Sequence, residues 1–130
     1  MNDFRRDLRA RELGRVKDGW HHFAERANEL ADVKQMINGW DRVVQFNITG
    51  ESPFYLTFSS GKIIFSDGTH EKPDLTLKGA EDVFYRLMTG ELDGMKAFML
   101  GQFKFEGQLK DAAKFAQIGE AVRKSEKSPP

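Results

Sequence analysis

Cysteine is absent from the 130-residue chain, which excludes disulfide staples, thiolate nucleophiles and thiolate metal sites together. No apolar stretch approaches the roughly 20 residues that a membrane-spanning helix requires. The charged start, with Asp3, Asp7 and Glu12 among arginines, has no signal-peptide character. A soluble, cytoplasmic protein is the expectation. Charge of one sign is lacking too: 20 Lys plus Arg face 20 Asp plus Glu, so neither nucleic acid nor an anionic membrane is recommended as an obligatory partner. The three histidines offer no metal site, because adjacent His21 and His22 diverge by about 100° on a helix and His70 falls in a polar turn. Asp41, Asp74, Glu91 and Asp93 fall at element boundaries, where capping and turn formation account for them. No phosphate loop, Gly-x-Ser-x-Gly elbow or His-Glu-x-x-His pair occurs, so catalytic residues, metals and cofactors are not expected.

What is present is a clear change of period along the chain. Residues 2–18 read as a charged helix with a thin apolar stripe, Phe4, Leu8, Leu13 and Val16, interrupted at Gly14. After Asp18, a candidate N-cap, Trp20, Phe23, Ala24, Ala27, Leu30 and Ala31 recur at helical spacing, and Asn38-Gly39 offers the stop. From Arg42 to Lys78 the period drops to two. Val44, Phe46 and Ile48 alternate with Gln45, Asn47 and Thr49; Phe54, Leu56 and Phe58 follow, then Ile63 with Phe65, and Leu75 with Leu77. Four antiparallel strands are predicted there. Helices over 80–88 and 93–100, a fifth strand at Phe103 and Phe105, and a last helix over 108–123 complete the reading. The expected domains are a helical extension over 1–18, a folded unit over 19–123 and a disordered polar tail over 124–130.

Strands with one apolar face and helices with apolar stripes call for an α+β sandwich, one sheet with helices layered on one face. Eleven Phe and five Met suit either a dry core or a cavity between the layers. Trp20 and Trp40 fit core or rim, the latter together with Met95 and Leu100.

The densest stretch, Met88 to Ala113, holds a helix end, a short helix, a strand and a helix start. Met88-Thr89-Gly90, then Ala97-Phe98-Met99 with Gly101, then Phe103, Phe105 and Gly107 leading to Ala112 and Ala113, closely resembles the signature of the sterol carrier protein type 2 family. The resemblance implies a mainly antiparallel sheet of about five strands and a lipid-sized tunnel between sheet and helices. Its lining would come from Phe46, Leu56, Phe58, Phe65, Leu77, Phe84, Leu87, Met88, Phe98, Met99, Phe103 and Phe115. The implied job is non-catalytic carriage of a fatty acyl, sterol-like, isoprenoid or quinone molecule, with an enzyme or membrane as transient partner. The peroxisomal Ser-Lys-Leu ending of some relatives is not found in Ser125 to Pro130. Two other readings stand beside it. In one, the core is dry and the charged helix 2–18 docks a partner or a second copy, giving a homodimer. In the other, Tyr55, Thr57 or Asn47 acts on a bound thioester or ketone.

Overall fold

The computed structural model describes residues 16–127. Helix α1 (Val16–Asn28) and the short α2 (Ala31–Met36) lead into strands β1 (Arg42–Ile48), β2 (Phe54–Ser59), β3 (Lys62–Asp67) and β4 (Leu75–Gly79). Then come α3 (Glu81–Thr89), α4 (Gly94–Met99), β5 (Phe103–Gly107) and α5 (Leu109–Lys127). The five strands form one sheet in the order β3-β2-β1-β4-β5. Alternation puts Val44, Phe46 and Ile48 of β1 and Phe54, Leu56 and Phe58 of β2 on the inward face, where all six are buried. Phe54, Phe46, Leu77 and Phe105 form one continuous row across four strands. At the β1–β2 end of this row the rings pack into an aromatic core, with the Phe46 centroid 4.7 Å from Phe54 and 4.9 Å from Trp20.

Three expectations change. The sheet is mixed, because β4 pairs with β1 in parallel, Val44 opposite Leu75, instead of joining an antiparallel run. The segment after β3 carries the chain back across the sheet, so β4 enters alongside β1 in the same direction. Secondly, the helix expected to run from Asp18 to Asn38 is two helices, and the first already includes Val16, which is 1% exposed. Its break is held by Asn28, whose side-chain amide donates to the Ile63 carbonyl and accepts from the Ile63 N–H, each at 2.8 Å, satisfying the edge of β3. Thirdly, the last helix runs on to Lys127, into the first four residues of the stretch 124–130 read as a disordered tail; residues 128–130 lie outside the described residues. The predicted helix over 2–18 lies outside the described residues apart from Val16 to Asp18.

Polar side chains tie distant elements together. Glu51, in the β1–β2 turn, accepts the Lys17 backbone N–H at 2.9 and 3.1 Å and so caps the start of α1. Asp111, 4% exposed in the first turn of α5, accepts from Trp40 Nε1 at 3.2 Å and Arg42 Nε at 3.1 Å. Trp40 thus packs edge-on against Phe58 beneath a polar clasp, a core-rim position. Gln45 points to the opposite face yet is 1% exposed. It accepts the His70 N–H and donates to the Phe54 and Gly68 carbonyls, pinning the β3–β4 connection over the sheet.

Candidate ligand cavity

At the β4–β5 end of the sheet the inward face does not close. Gly79 stands opposite Phe103 in the register, and a Cβ there would lie 2.9 Å from Phe84 Cε2 and 3.1 Å from Phe103 Cβ. Only glycine lets both rings approach the strand. Beside these rings lies a cavity of about 70 Å³. Leu75, Leu77, Phe103 and Phe105 form its floor, Trp20 and Phe23 of α1 and Phe84 and Leu87 of α3 one wall, and Gly94, Met95 and Phe98 of α4 another. Ala112, Phe115, Ala116, Gly119 and Arg123 of α5 complete it. The small residues on α5 recur every three or four positions, so one face of that helix leaves room where side chains would fill it.

Helix α4 is six residues long and starts at an Asp93 cap, whose carboxylate accepts from the N–H groups of Met95 and Lys96 at 3.0 and 3.1 Å. Met95 and Phe98, three positions apart, face inward, and the Phe98 ring lies 4.4 Å from Phe105. Arg123 lies half-buried at the α3 end. Its Nη1 donates to the Leu87 carbonyl at 3.2 Å, in the last turn of α3, where a cation also suits the helix dipole. Burial lowers its pKa from the ordinary guanidinium value, and the charges of Glu120 and Asp93 work against that shift.

Of the residues expected to line a tunnel, Leu77, Phe84, Leu87, Phe98, Phe103 and Phe115 border this cavity. Phe46, Leu56 and Phe58 belong to the buried core beside it, and Phe65 packs on Phe54 with centroids 5.2 Å apart. Met88 fills the gap over Gly19, where a Cβ would stand 2.5 Å from its sulfur. Met99 is a correction: it is 78% exposed, because one helical step beyond Phe98 turns it to the outer side of α4. Leu100 is exposed beside it. Tyr55, Thr57 and Asn47 alternate with the inward residues of their strands and none borders the cavity. Sequence reasoning missed Leu75, Phe105 and Phe23 as wall residues, although their period-matched spacing marked them as inward; it named Met95 only for an apolar rim, and it missed Gly94, Ala112, Ala116, Gly119 and Arg123. Trp20, read as core or rim, is both a core ring and part of the wall.

A mixed five-stranded sheet, helices layered across it and an apolar cavity at one end define a small α+β domain. The chain belongs to the SCP-2 sterol transfer family, whose model matches residues 21–120. The sterol carrier protein domain 2 of Helicoverpa armigera is similar in fold, at 23% identity and a TM-score of 0.66, the match covering 81% of this chain and 86% of that one. Palmitated SCP2L2 from Aedes aegypti matches at 21% identity and a TM-score of 0.52, over 61% of this chain and 72% of that one. The sec-alkylsulfatase Pisa1 from Pseudomonas sp. matches at 20% identity and a TM-score of 0.57 over 67% of this chain, which spans only 14% of that enzyme. Comparison with curated proteins gave no match. Among the described residues no helix is long and apolar enough to cross a membrane.

Proposed function

We propose that the protein is a non-catalytic cytoplasmic carrier that holds an elongated apolar molecule, an acyl chain, isoprenoid, quinone or sterol-like compound, in the cavity and passes it to an enzyme or a membrane. One observation carries this reading. Among the described residues, four helices and two strands turn almost only apolar side chains toward one unfilled space. Membership of the SCP-2 sterol transfer family and the palmitate on the Aedes relative support it. At about 70 Å³ the space is well below the roughly 300–1,000 Å³ of sites for drug-sized ligands, so a chain enters only as the wall moves outward. Short α4, with Phe98 as its main apolar anchor, is the element best placed to give way. Each methylene buried contributes about 0.8 kcal/mol, so ten offer about 8 kcal/mol to drive that expansion.

Native mass spectrometry of the purified protein, with solvent extraction of whatever travels with it, tests the reading together with displacement of a fluorescent fatty acid by palmitate. A stoichiometric apolar ligand or saturable displacement is expected. Ala116→Phe, which pushes a ring into the cavity, should weaken palmitate at least about tenfold if roughly two methylenes lose their place. A protein that emerges empty and binds neither probe would sink the proposal.

A further inference from the structure

Strand β5 ends the sheet, and no strand lies on its far side among the described residues. Its backbone groups divide by alternation. The Gly79 carbonyl accepts the Thr49 N–H at 2.9 Å, on the β1 side, so Leu75, Leu77 and Gly79 of β4 address β1 while Thr76 and Lys78 address β5. Opposite these two in the register, Glu106 and Lys104 spend their N–H and C=O groups on β4. Phe103, Phe105 and Gly107 therefore turn theirs off the edge, a row ready to pair with another chain. The side chains of Lys104 and Glu106 are exposed and unevenly matched within the chain. Lys104 lies directly opposite Lys78 and makes no ion pair among the described residues, whereas Lys78 reaches Glu106 at 3.1 Å. Besides Ile64, the large apolar side chains exposed among the described residues all flank this strand: Met99 and Leu100 just before it, 78% and 74% exposed, and Leu109 just after it, 55% exposed.

We propose that this edge joins a second copy of the chain, the two β5 strands running antiparallel with Phe105 opposite Phe105 on a twofold axis. One register satisfies the whole edge. Phe105 exchanges both backbone hydrogen bonds with its counterpart, and Phe103 pairs in the same way with Gly107 of the other copy. Lys104 then stands against Glu106 of the other copy, and Glu106 against Lys104, in the closely spaced pairs where side chains interact most. A lone edge lysine repels an incoming strand, but Lys-x-Glu centred on an axis is complementary to itself. A slip of two residues sets lysine on lysine or glutamate on glutamate, so charge selects the register. The same arrangement lays the start of β5 in one copy beside its end in the other. Met99 and Leu100 thus approach Leu109 of the other copy at both ends of the seam, and apolar side chains left to solvent in the single chain become covered. The two five-stranded sheets become continuous, with the helices of both copies on one side and the seam beside the cavity floors that hold Phe103 and Phe105.

Sedimentation velocity of the full chain across a concentration series, with light scattering, tests this. The wild type should form a dimer of twice the monomer mass. Lys104→Glu makes every charge at the seam acidic and Glu106→Lys makes every one basic. Each should raise the dimer dissociation constant about tenfold or more, as two attractive pairs become two repulsive ones. Mixed in equal amounts, the two variants should re-form a dimer, an acidic strand on a basic one. The exchange variant, Lys104→Glu with Glu106→Lys, keeps the pattern and should dimerise alone, which separates loss of pairing from loss of folding. A wild type that stays monomeric across the series overturns the assignment. So does a dimer indifferent to both single changes, or a mixture that fails to associate. A monomer that instead sediments with anionic lipid vesicles, and is released by Leu100→Asp, gives the flanking apolar residues to a membrane and overturns it too. The carriage reading stands apart from all of these outcomes, because no ligand for the cavity enters the measurement.

Discussion

Glu51 and Asp111 do their work as single side chains reaching far along the chain. Burial raises the pKa of Glu51 above its ordinary 4.5; the Lys17 backbone N–H works against this shift and the neighbouring Glu81 adds to it. The folded state therefore holds this proton more tightly than the unfolded chain does. Its contribution to stability is full below the unfolded value and is lost as the pH rises through the raised folded value. Glu51→Gln should accordingly shrink whatever stability the protein gains between neutral pH and about pH 5, read as urea midpoints at both. An identical pH dependence in wild type and variant would refute this. Asp111→Ala strands Arg42 and the Trp40 indole, and should cost about 3 kcal/mol in urea unfolding, against a smaller loss for Asp111→Asn. A loss under about 1 kcal/mol for the alanine would mean solvent already shares the clasp. These roles were invisible in the sequence for a simple reason. Gln45 reads as the outward member of an alternating strand, and only the folded position of residues 68–70 buries it; nothing local to Asp111 announces Arg42.

Elements were far more legible than their arrangement. Helical and strand periods identified every strand and the helices after β4, because each must bury one face and the spacing of that face is its own signature. The direction of β4 was not legible, since alternation is the same whether a neighbour runs parallel or antiparallel. Nor was the break at Asn28, which depends on the edge of β3 more than thirty residues away. The cavity wall was half legible: inward Phe and Leu could be listed, but the room left by Ala112, Ala116 and Gly119 on α5 and the place of Arg123 beside α3 depend on how the helices pack. Gly79 shows how β4 and α3 depend on a missing side chain. Gly79→Ala should cost about 1–3 kcal/mol by forcing Phe84 and Phe103 apart, an overpacking penalty. A neutral effect on the urea midpoint would mean that the rings shift freely and that the close approach has no structural value.

Taken as a whole the molecule has two unlike halves. Around β1, β2 and β3 the core is aromatic and full; around β4, β5, α4 and the end of α5 it is hollow, lined almost only by apolar side chains and roofed by a six-residue helix. Family membership and the neighbouring folds bear on the sheet and its helices, while the space in the hollow half comes from Gly94, Ala112, Ala116 and Gly119.

The parallel pairing of β1 with β4 divides those halves in time as well as in space. β1, β2 and β3 are joined by short turns and can meet early, whereas β4 reaches β1 only after the intervening hairpin has closed a long loop. On this topology the hollow half is expected to assemble last and to come apart first. A ligand held there would then make its contacts only on the native side of the folding transition state. Bound palmitate should therefore lengthen the lifetime of the folded protein while leaving its folding rate unchanged, a stopped-flow signature in which only the unfolding limb moves. Faster folding with palmitate present would instead place the cavity in the nucleus.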